Sequence, residues 1–381
     1  MRNLFWILIT FALAPVLYLV IFLRRMFNKD KLRILIIDIG KIGDLTCTTP
    51  VFREIKRKFP DSYLGAAIKE HSYGVVQNNP RIDEFIFLDS ARYQGFWGQI
   101  KLIYDINKQK FNWSLNLTPY AHNTILAFWA GIPNRITSIA RMTGKTAKLL
   151  SFFNSYRLEY RQHTLKLRHN LELLSFLGIE DFNEQKEIFT TEKEERNTEF
   201  FIEKNNLKKN DFIIGISVTA GNKLKEWEPI KFGLLADKLI KELAARIIFF
   251  GASADEKIIK EITVKMKNKP ISGIDFKVNE LAAIFKKLEL FISVDTGPLY
   301  IAHSVGTPVV DIVGPVDTEV QPPRDNISEL VYKKIYCWPC VFIYPGARSC
   351  KEGHLRCIKE ITVDDVFDAV IRLIKKCNIK A

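Results

Sequence analysis

Three short polar stretches carry residue types suited to general-base chemistry and to holding a phosphorylated ligand. The first is Asp38-Ile-Gly-Lys-Ile-Gly-Asp44, followed by Leu-Thr-Cys-Thr-Thr-Pro50. Gly40 and Gly43 allow a close turn, and Asp44 then stands at the start of a helical pattern, where a carboxylate can act as a general base toward a bound hydroxyl. The same position suits a helix N-terminal cap, so both readings stand. The second stretch is Ser217-Val-Thr219-Ala-Gly-Asn-Lys-Leu-Lys225-Glu-Trp227-Glu-Pro229. A glycine-containing loop with Thr219 and Lys225 ahead of a proline-started helix can cradle a phosphate. Its lysines serve equally well as solvated loop charges, and Trp227 as packing. The third is Ser293-Val-Asp295-Thr296-Gly297-Pro298-Leu-Tyr300-Ile-Ala-His303. Asp-Thr-Gly before a helix offers hydroxyl and amide donors at the positive helix end, which suits a diphosphate, or it simply caps the helix. His303 fits an interior histidine with its hydrogen bonds satisfied.

All three stretches follow short apolar runs, so strands must position them. Arg33 to Asp38, Phe212 to Ser217 and Leu290 to Ser293 are nearly continuous apolar segments of the kind found in parallel sheets covered on both faces. Further strand patterns lie at Tyr63 to Ile68, Glu84 to Leu88, Asn112 to Leu117, Arg246 to Phe250 and Pro308 to Val313, with a strand start at Arg135-Ile136 after Pro133, alternating with helical ones. This predicts two successive parallel α/β domains, over 32–185 and 210–360, with a C-terminal helix over 361–381. The charged segment from Glu184 to Asn210 is the expected boundary. Ligands of such sheets bind beyond the carboxyl ends of the strands, which places the chemistry in a cleft between the two domains.

Ahead of these domains, residues 4–23 form an uncharged apolar run of about 20 residues, the length a helix needs to cross the ~30 Å hydrocarbon core. A signal peptide would have a shorter core and a small-residue cleavage site, whereas Arg24 and Arg25 follow here. The basic residues Arg24, Arg25, Lys29, Lys31 and Arg33 behind the run predict a single-pass anchor with the rest of the chain in the cytoplasm. The chain carries a formal net charge of +13, which suits an anionic partner. Clusters such as Arg53, Lys56, Arg57 and Lys58, or Arg161, Lys166 and Arg168, are candidates to face a membrane surface, or to be ordinary solvated faces. No nucleic-acid-binding module or stacking platform accompanies the charge, so nucleic acid is not an expected partner. A dinucleotide fingerprint followed by an acidic ribose ligand is also lacking, which argues against an oxidoreductase.

Taken in order and spacing, Ile42-Gly43-Asp44 with Thr49-Pro50, Lys225-Glu-Trp227, and Ser293-Val-Asp295-Thr296-Gly297-Pro298 with Gly306-Thr-Pro308-Val make the chain similar to glycosyltransferase family 9, the lipopolysaccharide heptosyltransferases. The similarity runs from about Leu32 to the C-terminus. It implies GT-B architecture, with two Rossmann-like domains facing a cleft, the acceptor mainly on the first and the nucleotide sugar mainly on the second. It further implies inverting transfer of heptose from ADP-heptose to the lipopolysaccharide inner core at a bacterial inner membrane, with no cofactor and no obligatory metal. By the same resemblance Asp44 matches the catalytic base, Lys225 a contact to the donor phosphates, and Asp295, Thr296 and Gly297 the donor loop; Thr219 and Tyr300 complete the candidate donor set. The chain departs from the family pattern at Asp38, where a basic residue is common, and at Tyr300, where a histidine is. Another nucleotide sugar, or an inactive membrane-anchored scaffold, are the alternatives.

Cys337, Cys340, Cys350 and Cys357 cluster near the C-terminus in a pattern that also resembles the family's tail. Four thiols can bind zinc tetrahedrally, but the spacing is not that of a common zinc module, and reduced thiols or a local disulfide are the other readings.

Overall fold

The computed structural model describes residues 2–27, 31–139, 144–161, 163–274, 276–342 and 347–380. The chain forms two compact units, one of Met1–Tyr73 with Asn79–Gln185 and one of Gly74–Asn78 with Lys186–Ala381.

The first unit begins with α1 (Arg2–Phe27). It continues through β1 (Arg33–Ile37), α2 (Ile42–Thr46), α3 (Thr49–Lys58), β2 (Tyr63–Ile68), β3 (Glu84–Phe87), α4 (Gly95–Lys108), β4 (Trp113–Asn116), α5 (Ala121–Trp129), β5 (Asn134–Ile139), α6 (Lys145–Leu150), β6 (Tyr156–Glu159) and α7 (Lys166–Glu172). Its sheet has the order β3-β2-β1-β4-β5-β6, all parallel. The second unit holds α8 (Glu192–Lys204), β7 (Ile213–Ser217), α9 (Pro229–Leu243), β8 (Arg246–Gly251), α10 (Glu256–Thr263), β9 (Ile271–Ile274), α11 (Val278–Phe285), β10 (Leu290–Val294), α12 (Gly297–Ser304), β11 (Val309–Ile312), β12 (Ser328–Val331), α13 (Arg356–Lys359) and α14 (Val363–Lys376). Its sheet runs β12-β11-β10-β7-β8-β9 and is also parallel.

Counted from the first strand of each unit, both orders are 3-2-1-4-5-6, the doubly wound arrangement. The chain reverses its direction of winding between β1 and β4 in one sheet and between β7 and β10 in the other. Loops leave on opposite sides there, and a ligand crevice opens at the strand ends. The central strands are buried on both faces, Ile213–Ser217 and Leu290–Val294 throughout, as their unbroken apolar runs require.

Three strands that the apolar pattern does not predict, β6, β9 and β12, all lie at sheet edges. Tyr-Arg-Leu-Glu, Ile-Ser-Gly-Ile and Ser-Glu-Leu-Val are short and only partly buried, so their sequences need not be apolar throughout. Within the charged segment read as the domain boundary, the chain forms α8. Thr191 donates its hydroxyl and its N–H to Glu194, whose buried carboxylate also accepts from Asn78 and Asn279. Burial raises the Glu194 pKa, but these hydrogen bonds outweigh it and hold the carboxylate below its usual range.

Helix α1 is long and apolar enough to cross a membrane over Phe5–Met26. One side packs on the first unit, where Ile21 joins Ile125, Phe128, Leu150 and Phe153 in a small apolar cluster. Trp129 Nε1 donates to Thr10 Oγ1 at 2.8 Å. Arg24 donates to the Ala130 carbonyl and to Asn107 Oδ1. Leu8, Val16, Leu19, Phe22 and Met26 remain exposed on the other side.

Candidate functional site

In the first unit the candidate residues gather where β1 and β4 diverge. Asp38 follows β1 directly and is buried. Its Oδ1 accepts from the Gly40 N–H at 2.9 Å and the Thr118 hydroxyl at 3.1 Å, and its Oδ2 from the Thr48 hydroxyl at 2.6 Å. These bonds draw the loop after β1 back over the strand end. Gly40 is then so close to Asp44 that a Cβ on it would lie 2.4 Å from the Asp44 Cβ. Asp44, half-buried, accepts the Lys41 N–H on Oδ2 at 2.8 Å, so it stabilises the start of α2 while standing at the mouth of the sheet. The cap and the chemical role are compatible in one side chain.

Two residues of this site were not singled out in the sequence. Lys166, read there as part of a basic surface cluster, is buried; its Nζ donates to the Leu117 carbonyl and to Asn170 Oδ1, each at 2.6 Å. Burial pushes this ammonium down, while the Asp38 and Asp44 carboxylates pull it back up. Asn170, fully buried, donates to Thr48 Oγ1 at 3.1 Å. The available signal was the apolar spacing of Leu165, Leu167, Leu171 and Leu174, which turns α7 inward. The other basic clusters are also largely internal ties. Arg53 and Arg57 pair with the buried Glu54 and reach the carbonyls of Gln185 and Asp181, and Lys56 pairs with Asp83. Arg161 and Arg168 pair with Glu172 and Glu184.

In the second unit the remaining candidates gather where β7 and β10 diverge. The register pairs Ser217 with Ser293, so Thr219 and Asp295 emerge side by side beyond the two strands. Lys225 ends a short 3-10 turn whose Asn222 side chain caps Leu224 N–H, and its Nζ donates to Asp295 Oδ2 at 2.5 Å. Tyr300, one turn into α12, donates to Asp295 Oδ1 at 2.6 Å. Thr296 is the extended N-cap of α12. Pro298 has no N–H and the Leu299 N–H is spent on the Thr296 carbonyl, so Thr296 and Gly297 supply the amides at this positive helix end. Beneath the cluster lies Asp311 of β11. Burial, then repulsion by Asp295, raise its pKa well above the carboxylate range, and Lys225 only partly offsets them. This acid gave no motif in the sequence.

Its neighbours have plainer tasks. Lys223 is exposed and pairs with Glu226. Trp227 is buried, with Nε1 donating to the Ile361 carbonyl at 2.9 Å. The His303 Nε2 lies 2.7 Å from Asp325 Oδ2. None of the six cysteines is joined in a disulfide, so no local disulfide forms. Cys337, Cys340, Cys350 and Cys357 line one narrow crevice with Pro315 and His354. There the backbone N–H groups of residues 352–355, Leu355 foremost, lower the Cys350 thiol, while burial pushes Cys357 up to about 11.

Known proteins share this organisation. The chain is similar to lipopolysaccharide heptosyltransferase 3 of Escherichia coli K12, with 28% identity over 340 residues, 87% of this chain and 95% of that one. Lipopolysaccharide heptosyltransferase 1 of Campylobacter coli is 22% identical over 312 residues, 79% of this chain and 89% of its own length. Among solved structures, a family 9 glycosyltransferase from Veillonella parvula superposes with a TM-score of 0.80 at 23% identity, over 92% of this chain and 99% of that one. E. coli heptosyltransferase WaaC with ADP-2-deoxy-2-fluoro heptose gives 0.63 at 14% identity, over 90% and 99%. At such identities the structures show the fold, which is GT-B. The model of glycosyltransferase family 9 (heptosyltransferase) matches residues 100–344, and the chain, a glycosyltransferase, belongs to that family.

Proposed function

We propose that this glycosyltransferase transfers heptose from ADP-heptose to the inner core of lipopolysaccharide, with inversion at the anomeric carbon and Asp44 as general base. The observation that carries the reading is positional. The candidate residues of each unit converge at the point where its sheet reverses winding, Asp44 at the ends of β1 and β4, and Lys225, Asp295, Thr296 and Gly297 at the ends of β7 and β10. The names of the relatives support heptose and lipopolysaccharide, and the bound analogue in the WaaC structure supports an ADP-linked donor.

In this mechanism Asp44 takes the acceptor hydroxyl proton as that oxygen attacks the anomeric carbon. The nucleoside diphosphate leaves with growing negative charge. Lys225 and the amides of Thr296 and Gly297 stabilise it, with Thr219 lining the same loop. Asp295, fixed by Lys225 and Tyr300, orients the donor sugar.

The acceptor's lipid and the apolar length of helix α1 support a reaction at the cytoplasmic face of the bacterial inner membrane. The apolar length of α1 spans one bilayer, and Arg24 and Arg25 keep the following chain on the cytoplasmic side. To cross, Thr10 and Ile21 must exchange Trp129 and Phe128 for lipid, whereas Arg24 at the interface can keep the Ala130 carbonyl and Asn107.

Single-turnover transfer by Asp44→Asn tests the base. A fall of at least ~100-fold is expected with donor binding intact; full activity in the folded variant would remove Asp44 from the role.

A further inference from the structure

The buried chain from Lys166 to Asp38 has a direction imposed by chemistry. An ammonium can only donate, so the Asn170 atom 2.6 Å from Lys166 Nζ must be its carbonyl oxygen. The Asn170 amide nitrogen therefore faces Thr48 and donates to its hydroxyl oxygen at 3.1 Å. Thr48 must then place its own proton elsewhere. Asp38 Oδ2 at 2.6 Å is a charge-assisted acceptor, against 3.3 Å to the Asp44 carbonyl, and the shorter, charged partner takes it. Asp38 Oδ1 already accepts from Gly40 and Thr118. Every hydrogen bond at the Asp38 side chain is thus an accepted one, the pattern of an ionised carboxylate.

Lys166, Asn170, Thr48 and Asp38 are all buried, so water does not substitute for a missing link. The far end of the chain is the loop that carries the proposed base, since Asp38 holds the Gly40 N–H and Gly40 packs against Asp44.

We infer that Lys166 is a positioning residue for Asp44: through Asn170 and Thr48 it fixes Asp38 as a carboxylate and thereby the turn on which Asp44 stands. This rests on the reading of Asp44 as the base. In this role Lys166 sets the polarity of the chain and supplies the counter-charge for two acids. Among the described residues, the Asp38, Asp44 and Cys47 side chains of the first β-α segment act on the Lys166 charge, and Lys166 and Arg161 act on His169.

The test is steady-state transfer by Lys166→Met and Asn170→Ala in the full-length protein, with Asp44→Asn alongside and folding followed by circular dichroism. Lys166→Met is expected to lower kcat by ~10–100-fold with the donor KM within about twofold. Asn170→Ala keeps the ammonium but breaks its link to Thr48, and should lower kcat with the donor KM likewise within about twofold. If Lys166→Met does not fold, Asn170→Ala carries the test. A folded variant of either kind with native kcat overturns the inference, as does a kcat loss matched by an equal loss of donor affinity. An active Asp44→Asn overturns the base reading itself; an inactive one beside normal Lys166 and Asn170 variants overturns only the positioning role.

Discussion

The Lys225 ammonium donates to Asp295 Oδ2 at 2.5 Å across 70 residues of sequence, joining the loop after β7 to the loop after β10. With Tyr300 on the other oxygen, the Asp295 carboxylate is fixed from two sides. Removing the lysine leaves a buried acid without its cation.

Lys225→Met should therefore act twice. Stability falls by about 3 kcal/mol, the usual result of breaking one partner of a buried pair, and ADP binds at least ~10-fold more weakly for want of a charge-assisted bond. Thermal denaturation and calorimetric titration with ADP measure the two. Unchanged ADP affinity would favour the inactive-scaffold alternative.

Gly40→Ala tests the turn. A Cβ there would meet the Asp44 Cβ at 2.4 Å and Asp38 Oδ1 at 2.9 Å, so the loop must shift and carry Asp44 with it. Turnover should fall by roughly 100-fold, the effect of an ångström-scale misplacement, while ADP affinity stays native. Native turnover would mean that the position of Asp44 is unimportant.

His169 gives a pH signature. Burial first, then the charges of Lys166 and Arg161, lower its pKa to about 3, with Ser138 Oγ 2.7 Å from Nε2. The folded chain keeps it neutral, whereas the unfolded chain binds a proton below pH ~6.5. Its contribution is complete above pH ~6.5 and is lost as pH falls toward 3, by up to about 1.4 kcal/mol per pH unit. Urea midpoints of the wild type should drop more steeply from pH 7 to pH 5 than those of His169→Gln. Parallel pH dependences would contradict the buried, neutral histidine.

Deleting residues 1–27 should move the protein from the membrane fraction to the soluble one without abolishing transfer to a truncated, water-soluble acceptor. Fractionation and the same transfer assay check both halves. Persistent membrane association would shift the anchor to another surface.

The central strands and all three polar stretches were legible because buried parallel strands are apolar throughout and their loops break the pattern sharply. The edge strands β6, β9 and β12 were not, since a half-covered edge tolerates Arg157, Ser272 and Glu329. Asp44 and Lys225 stood in motifs. Lys166, Asn170 and Asp311 did not, for their importance comes from burial beside residues distant in sequence. A lysine among leucines in α7 reads as a surface charge until the helix is seen to pack against the end of β4. The basic runs of α3 were likewise spent on internal carbonyls and on Glu54, which composition alone does not reveal.

The most direct test of the central claim is transfer from ADP-heptose, set against hexose nucleotides, onto defined truncated lipopolysaccharide acceptors. Heptosylated product with inverted anomeric configuration is expected from ADP-heptose alone. Transfer of a hexose in its place, or no transfer from ADP-heptose by folded, membrane-bound protein, would contradict it.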